Sequence, residues 1–251
     1  MSTPRWMRVA ADAGRLVGAP EKRTVDSMIG QDDALRSRLA ISRRVGIFSL
    51  DGGAGATTVA CSMASVLARR RQAPVLIIDG SRSADVTRML GMRQRSECER
   101  IRVLSPPSVG VMSVSGWDTC IRTVGRMYEV VIGDWGCRTN LNEFTEVAYD
   151  CHVLVLVCRP DRFSIEDALW AARSLGEKCL VICNDSSGGG VAAMSRGTRI
   201  HTLPYSSAIM RKSTPEYAWR SALTKVVVDV MDIMGGPGTD EGPKLTAKRA
   251  L

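Results

Sequence analysis

Residues 51–58 read Asp51-Gly-Gly-Ala-Gly-Ala-Thr-Thr58, and this glycine-rich stretch decides the fold. It follows an apolar run at 45–50 and precedes a helical pattern at 59–68. A strand, a glycine-rich turn and a helix in this order are the context of a phosphate-binding loop. Glycines let backbone N–H groups converge on an anion, and the N-terminus of the helix adds positive potential. The stretch therefore predicts a phosphate-binding loop in which Ala56 occupies the usual lysine position.

Apolar runs alternate with helical patterns along the chain. Near-continuous apolar runs such as 153–157 indicate strands that are buried on both faces of a parallel sheet. With right-handed crossovers, this alternation predicts an α/β fold, a doubly wound, mostly parallel sheet in a three-layer α/β/α arrangement. Strands are expected near 45–50, 75–79, 100–104, 109–114, 129–134, 151–158, 179–183 and 199–203. Helices are expected near 57–71, 84–90, 117–127, 141–148, 162–176 and 216–234.

Ligands bind at the carboxyl ends of the strands in sheets of this kind. Segments 51–58, 79–85 and 134–140 each follow a predicted strand end. We therefore expect these three segments to converge on one binding site.

Four motifs resemble those of one ATPase family. Besides the loop, segment 74–91 is similar to V-L-L-I-D-x-D-x-x-x-x-x-T-x-x-L-G, 128–134 to a Walker B strand, and 149–168 to A-D-x-V-L-V-V-x-x-P-E-x-x-S-x-x-D-A. Over roughly residues 45–230 the chain resembles the MinD and ParA ATPases, a SIMIBI-class family whose deviant Walker A loop reads K-G-G-x-G-K-T-T. The resemblance implies a P-loop NTPase-like fold.

The resemblance also implies which residues would meet a nucleotide. The implied nucleotide-binding positions are Gly52, Gly53, Gly55, Ala56, Thr57, Thr58, Asn184 and Pro204. Thr57 and Asp134 are the implied Mg²⁺ ligands, and Asp79 and Ser81 occupy switch-like positions.

Three charged groups of the family's site are replaced in this chain. Asp51 occupies the position of the lysine that reaches across a nucleotide-sandwich dimer. Ala56 occupies the position of the lysine that holds the β- and γ-phosphates, and Ser81 that of the aspartate that orients the attacking water. Phosphoryl transfer depends on positioning and charge stabilisation. We therefore predict a pseudo-ATPase without catalytic residues, with either no cofactor or weakly bound Mg-ATP or Mg-ADP.

The composition is typical of one globular α/β domain with short tails, since the chain has 251 residues, 45% of them hydrophobic, and a net charge of +8. We expect a basic N-terminal extension over 1–43, the P-loop domain over 44–234 and a disordered tail over 235–251.

The sequence has no apolar run of the roughly 18–20 residues that a membrane span needs, and its start lacks the apolar core of a signal peptide. These features predict a cytoplasmic protein. A short helix over 5–17 would pack on the core, form a loose tail, or touch the inner face of the membrane peripherally.

Cysteine and histidine usage predicts packing rather than chemistry. The eight cysteines include no C-x-x-C pair, so we expect buried free thiols in a reducing compartment and no zinc site. His152 and His201 are the only histidines and fall on predicted strands.

Members of the family place division, chromosome, flagellar, pilus or secretion machinery, so the resemblance implies a spatial organiser or adaptor with protein partners and a homodimer. Variants without the loop lysine occur among the TadZ/CpaE-like proteins of pilus assembly.

Two alternatives stay open. The first is an active, unorthodox ATPase in which Arg82 or a partner's arginine replaces the lost lysine. The second is a non-specific DNA-binding partition protein that would use the basic segments 43–44, 69–71 and 211–212.

Overall fold

The described part of the chain is built around a seven-stranded sheet. The computed structural model describes residues 22–81, 85–91, 99–105, 114–138, 141–190, 200–210 and 216–235. The strands are β1 (Arg43–Ser49), β2 (Val75–Asp79), β3 (Ile101–Leu104), β4 (Val130–Cys137), β5 (Val153–Cys158), β6 (Cys179–Asn184) and β7 (Ile200–Leu203). Their order is β3-β2-β4-β1-β5-β6-β7, and each pair of neighbours is parallel.

Helices cover both faces of this sheet. They are α1 (Lys22–Arg36), α2 (Ala56–Arg70), α3 (Asp85–Gly91), α4 (Val114–Thr123), α5 (Leu141–Asp150), α6 (Arg162–Leu175), α7 (Ser207–Met210) and α8 (Tyr217–Gly235), with a 3₁₀ turn at Gly125–Met127. The predicted three-layer α/β/α fold with a doubly wound parallel sheet is therefore confirmed.

Two hydrophobic cores lie on the two faces of the sheet. One contains α1, α2, α3 and α8, and the other contains α4, α5 and α6. Strand β5 serves both cores, because Val153, Val155 and Val157 face the first and Leu154 and Leu156 face the second, all of them fully buried. This double burial explains why the strand reads as an unbroken apolar run rather than as an alternating one.

Helix α1 is an element that sequence analysis did not predict. It packs on α2 and α8, where Leu35 is buried, and Asp32 pairs with Arg70 of α2. Its sequence contains Gly30 and few apolar residues, and it leaves Met28 and Ile29 more than half exposed. A helix with such a narrow apolar stripe gives little periodic signal.

Some predicted elements differ from the structure or fall outside it. The strand expected near 109–114 falls largely outside the described residues, and Val114 instead begins helix α4. The helix expected over 5–17 and the tail beyond Gly235 also lie outside the described residues, as do Arg82 and segment 211–212. Helix α8 ends at Gly235, close to its predicted end.

Most cysteines of the described residues pack in the core, since five of the seven are buried, Cys120 is half-buried and Cys137 is exposed. The seven cysteines seen there are free thiols, and His152 accepts a hydrogen bond at Nδ1 from the Arg44 backbone N–H at 3.1 Å. Burial lowers the pKa of His152 to about 4, so the ring is neutral and accepts this bond. Within the described residues, no helix is long and apolar enough to cross a membrane.

Candidate functional site

The glycine-rich loop joins the end of β1 to the start of α2. Gly53 and Gly55 have φ angles of 77° and 96°, in the left-handed region that glycine adopts without strain. Ala54 between them is completely buried, and the Ser49 hydroxyl donates a hydrogen bond to the Asp51 carbonyl at 3.0 Å. The loop is therefore a fixed turn at the carboxyl edge of the sheet.

Asn184, at the end of β6, contacts this loop from two strands away in the sheet. Its Nδ2 donates a hydrogen bond to the Ala54 carbonyl at 2.9 Å. A Cβ atom at Gly55 would lie only 2.5 Å from the same nitrogen. Glycine is therefore required at position 55 for two reasons, the positive φ angle and the close approach of the Asn184 side chain. Pro204 follows Leu203, which pairs with Asn184 in the sheet.

We expect Gly55→Ala to destabilise the fold by about 2 kcal/mol, because alanine is strained at a positive φ and would displace Asn184. Gly52→Ala is the matched control, since a Cβ atom at Gly52 meets nothing within 4 Å. Urea unfolding monitored by circular dichroism measures both variants. Equal stability of the two variants would show that the loop is not held in this conformation.

The first turn of α2 leaves its backbone donors without a side-chain cap. Gly55 is the N-cap residue, and the described residues supply no capping side chain. The leading N–H groups of a helix have no partner within the helix, and they attract anions. Ala56 contributes a buried methyl group here, Thr57 is half-buried, and the Thr58 hydroxyl points to the Met89 sulfur at 3.9 Å. The loop thus leaves the leading N–H groups of α2 without a side-chain cap and carries no cation of its own.

Asp79 ends β2 and organises the turn into α3. Its Oδ1 accepts hydrogen bonds from the Ser81 hydroxyl at 2.7 Å and the Ser81 backbone N–H at 3.2 Å. Its Oδ2 accepts the Val86 N–H at 3.4 Å. Both carboxylate oxygens therefore hold the turn. Ser81 is itself buried, with its hydroxyl directed at Asp79.

Asp134 lies beside Asp79 in the register of the parallel strands β2 and β4. It is completely buried, and its Oδ1 accepts the Gly136 N–H at 3.1 Å. The register between β1 and β4 shifts after Asp134, so Trp135 is the extra residue of a bulge. Gly136 follows with a φ of 62°, where a Cβ atom would lie 3.1 Å from the Cβ of Ser81. The two carboxylates and Ser81 thus form one tightly packed cluster beside the loop.

Two buried thiols lie next to the residues that contact the loop. Cys158 and Cys183 are register partners at the ends of β5 and β6, immediately before Arg159 and Asn184. A hydrogen bond between the two side chains, with burial, raises the pKa of Cys158, and the same bond lowers the pKa of Cys183. Both side chains are almost fully buried, which favours a packing role.

The solved structures that resemble this chain include MinD and ParA proteins. MinD from Pyrococcus horikoshii, complexed with Mg-ADP, has a TM-score of 0.60 and 16% identity, over 78% of this chain and 98% of that chain. The chain has the fold of the MinD and ParA ATPases. A ParA family ATPase from Chlorobium tepidum has a TM-score of 0.53 and 17% identity, over 76% of this chain and 98% of that chain.

A third match with this MinD/ParA fold contains a partner protein. It is the MinC:MinD cell division protein complex from Aquifex aeolicus, with a TM-score of 0.53 and 16% identity over 78% of this chain and 96% of that chain. No protein-family model matches the sequence, and a search of curated proteins by sequence finds no match. The similarity to these proteins is therefore a similarity of fold.

Two arginines at this edge of the MinD/ParA fold were missed by sequence analysis. Arg138 is buried over the Trp135 ring, with its Cζ 5.4 Å from the ring centroid, and it donates to the carbonyls of Trp135 at 3.0 Å and Gly80 at 3.1 Å. Arg159 is exposed and donates from Nη2 to the Gly52 carbonyl. Arg159 comes directly after the strand predicted near 151–158, and Arg138 falls in segment 134–140, which was expected to converge on the site; these are the signals that could have identified them.

The basic segments that could bind DNA are largely internal or paired. Arg43 and Arg71 are buried, and Arg71 donates to the Leu35 carbonyl at 3.0 Å and pairs with Glu129. Arg70 pairs with Asp32. Electrostatic DNA binding needs clustered, accessible charge, so segments 43–44 and 69–71 offer less of it than their sequence indicates.

Proposed function

We propose that this protein is a MinD/ParA-like pseudo-ATPase that acts as a spatial organiser or adaptor for a bacterial machine, with pilus assembly of the TadZ/CpaE type as the finer assignment. The observation that carries the proposal is a phosphate-binding loop that keeps its glycine geometry but has Asp51 and Ala56 at the lysine positions. An intact fold with a weakened nucleotide site fits a protein that acts through binding.

Replacement of the water-orienting carboxylate supports the same conclusion. Ser81 is buried, and its hydroxyl is directed at Asp79 rather than into an open cleft. A hydroxyl in this position carries no charge that could orient an attacking water. Catalysis of phosphoryl transfer rests on positioned charges, so the cluster is better suited to holding the turn than to hydrolysis.

A magnesium ion fits this site only in company with a nucleotide. Thr57 and Asp134 offer hydroxyl and carboxylate oxygens, the ligand type that Mg²⁺ prefers, whereas both oxygens of Asp79 are engaged. The described residues contain no cluster of three or more His, Cys, Asp or Glu that could hold a metal by itself. Thr57 and Asp134 would hold the ion, which would neutralise phosphate charge once a nucleotide is bound.

An exposed aromatic surface on α5 and α6 supports an adaptor role. Phe163 is 79% exposed and Trp170 is 58% exposed, and both lie on α6 two turns apart, hence on one side of the helix. Tyr149 on α5 is also more than half exposed. Aromatic residues are enriched in protein interfaces. By analogy with the MinC:MinD complex, we propose a protein partner, with DNA and a peripheral membrane contact as less favoured binding modes.

The rival function is an unorthodox but active ATPase. Arg159 is the exposed cation that the described residues bring to the loop edge, and in this rival it would replace a lost lysine. Turnover of ATP, measured with and without protein partners, separates this rival from the pseudo-ATPase.

We expect the assembly state to be independent of nucleotide, because the lysine that would cross a nucleotide-sandwich dimer is Asp51. Two facing loops without lysines also repel each other less, so a constitutive homodimer is favoured. Sedimentation velocity with and without Mg-ATP measures the state. A monomer that dimerises only on addition of Mg-ATP would refute the proposal and favour the active ATPase.

A further inference from the structure

Two arginines flank the glycine-rich loop from the strands on either side. Strand β1 lies between β4 and β5 in the sheet, so the loop after β1 lies between the segments that follow those two strands. Arg138 follows β4 and Arg159 follows β5. The loop has no cation, yet each neighbouring strand places one at its edge.

The two arginines differ in what they can still bind. Arg138 is buried, stacked on Trp135 and bonded to two backbone carbonyls, so its guanidinium is committed to the protein. Arg159 is exposed, and among the described residues its hydrogen bonding consists of the contact of Nη2 with Gly52. A guanidinium has five N–H donors, so Arg159 keeps donors in addition to the one that contacts Gly52.

Arg159 also lies against the turn at Gly52 and Gly53. A Cβ atom built on Gly53 would be 3.8 Å from Nη2 of Arg159. Gly53 belongs to the turn whose N–H groups, with the uncapped first turn of α2, would receive the anion. The contact with the Gly52 carbonyl holds the guanidinium against this turn. Arginine also forms paired, charge-assisted hydrogen bonds with phosphate oxygens.

We propose that Arg159 is the phosphate-contacting cation of this site and takes over the charge of the lost loop lysines. The ligand class is a polyphosphate group, as in a nucleoside di- or triphosphate or in free tripolyphosphate. The loop N–H groups and Arg159 hold this group together. The location of this site rests on the proposed function. The new element is that weak polyphosphate binding depends on Arg159.

Three substitutions separate the charge of Arg159 from its structural contact. Arg159→Gln keeps an N–H donor for the Gly52 carbonyl but loses the charge, Arg159→Lys keeps the charge, and Arg159→Ala loses both. Arg173→Ala is the matched control, because Arg173 is an exposed arginine in the last turn of α6, the far end of the helix from Arg159.

Protein-observed NMR at millimolar ligand concentration measures affinity through the amide signals of the loop glycines. The ligands are ATP, ADP and tripolyphosphate, each with and without Mg²⁺, and AMP is the single-phosphate comparison. We expect Arg159→Gln and Arg159→Ala to weaken polyphosphate binding by about ten-fold, Arg159→Lys to retain most of it, and Arg173→Ala to leave it unchanged. Tighter binding of ATP than of tripolyphosphate would identify a nucleotide as the source of the phosphates, and equal binding a free polyphosphate.

Two results would overturn this role of Arg159. One is full affinity in Arg159→Gln, which would show a merely structural contact, and the other is the absence of ligand-induced shifts in the unaltered protein. Neither result affects the organiser function, which requires no nucleotide. Conversely, rapid ATP turnover would refute the pseudo-ATPase while leaving the role of Arg159 intact.

Discussion

The purified protein is expected to hydrolyse ATP no faster than a buffer control. Ala56 removes the cation that would hold the β- and γ-phosphates, and Ser81 removes the carboxylate that would orient water. Loss of one charge-stabilising group of this kind commonly costs about 10²–10³ in rate. Arg138 cannot easily compensate, because its guanidinium is bonded to the carbonyls of Trp135 and Gly80. A coupled assay of released phosphate, with and without protein partners, measures the rate.

Thr57→Ala distinguishes real turnover from a contaminating ATPase. Thr57 is the implied magnesium ligand, so genuine activity would disappear in this variant, whereas a contaminant would remain. Phosphate release at a rate typical of MinD and ParA ATPases, abolished by Thr57→Ala, would refute the pseudo-ATPase. Unchanged background release in both proteins supports it.

The sheet could be predicted from sequence because its strands carry an unusually clear pattern. Burial on both faces makes β5 and β6 continuous apolar runs, and the glycine-rich turn fixes the crossover that begins with α2. The convergence of segments 79–85 and 134–140 followed from the same logic, since the predicted strands end at Asp79 and Asp134; the two residues are register partners, although β4 continues to Cys137. Local pattern and topology therefore sufficed for the fold and for the edge of the sheet at which the candidate residues converge.

The contacts around the loop could not be predicted, because they join residues far apart in the chain. Asn184 reaches Ala54, and Arg159 reaches Gly52, through side-chain hydrogen bonds that no local pattern encodes. Arg138 stacks on Trp135, the extra residue of a β-bulge that no local sequence pattern predicts. Helix α1 was missed for another reason, since its stability comes from packing on α2 and α8 rather than from its own weak apolar stripe.

Restoring both lysines, as Asp51→Lys with Ala56→Lys, is expected to tighten binding of Mg-ATP by roughly 100-fold. At about 6 Å and an effective dielectric near 20, one unit charge contributes roughly 3 kcal/mol before screening. The double substitution removes one negative charge from the half-buried Asp51 and adds two positive charges beside the phosphates. The backbone needs no change, because the glycine geometry of the loop is already present. Isothermal titration calorimetry measures the affinity.

The single variants show which charge governs the site. Asp51→Asn removes the repulsion alone, so it should recover part of the gain, and Ala56→Lys should recover a larger part because its ammonium lies at the first turn of α2. Arg173→Lys serves as the surface control, since it leaves the net charge unchanged and lies at the far end of α6. Affinity that stays unchanged in the double variant would mean that the loop does not bind phosphate at all. Micromolar binding by the unaltered protein would instead mean that other groups, Arg159 foremost, already supply the full charge.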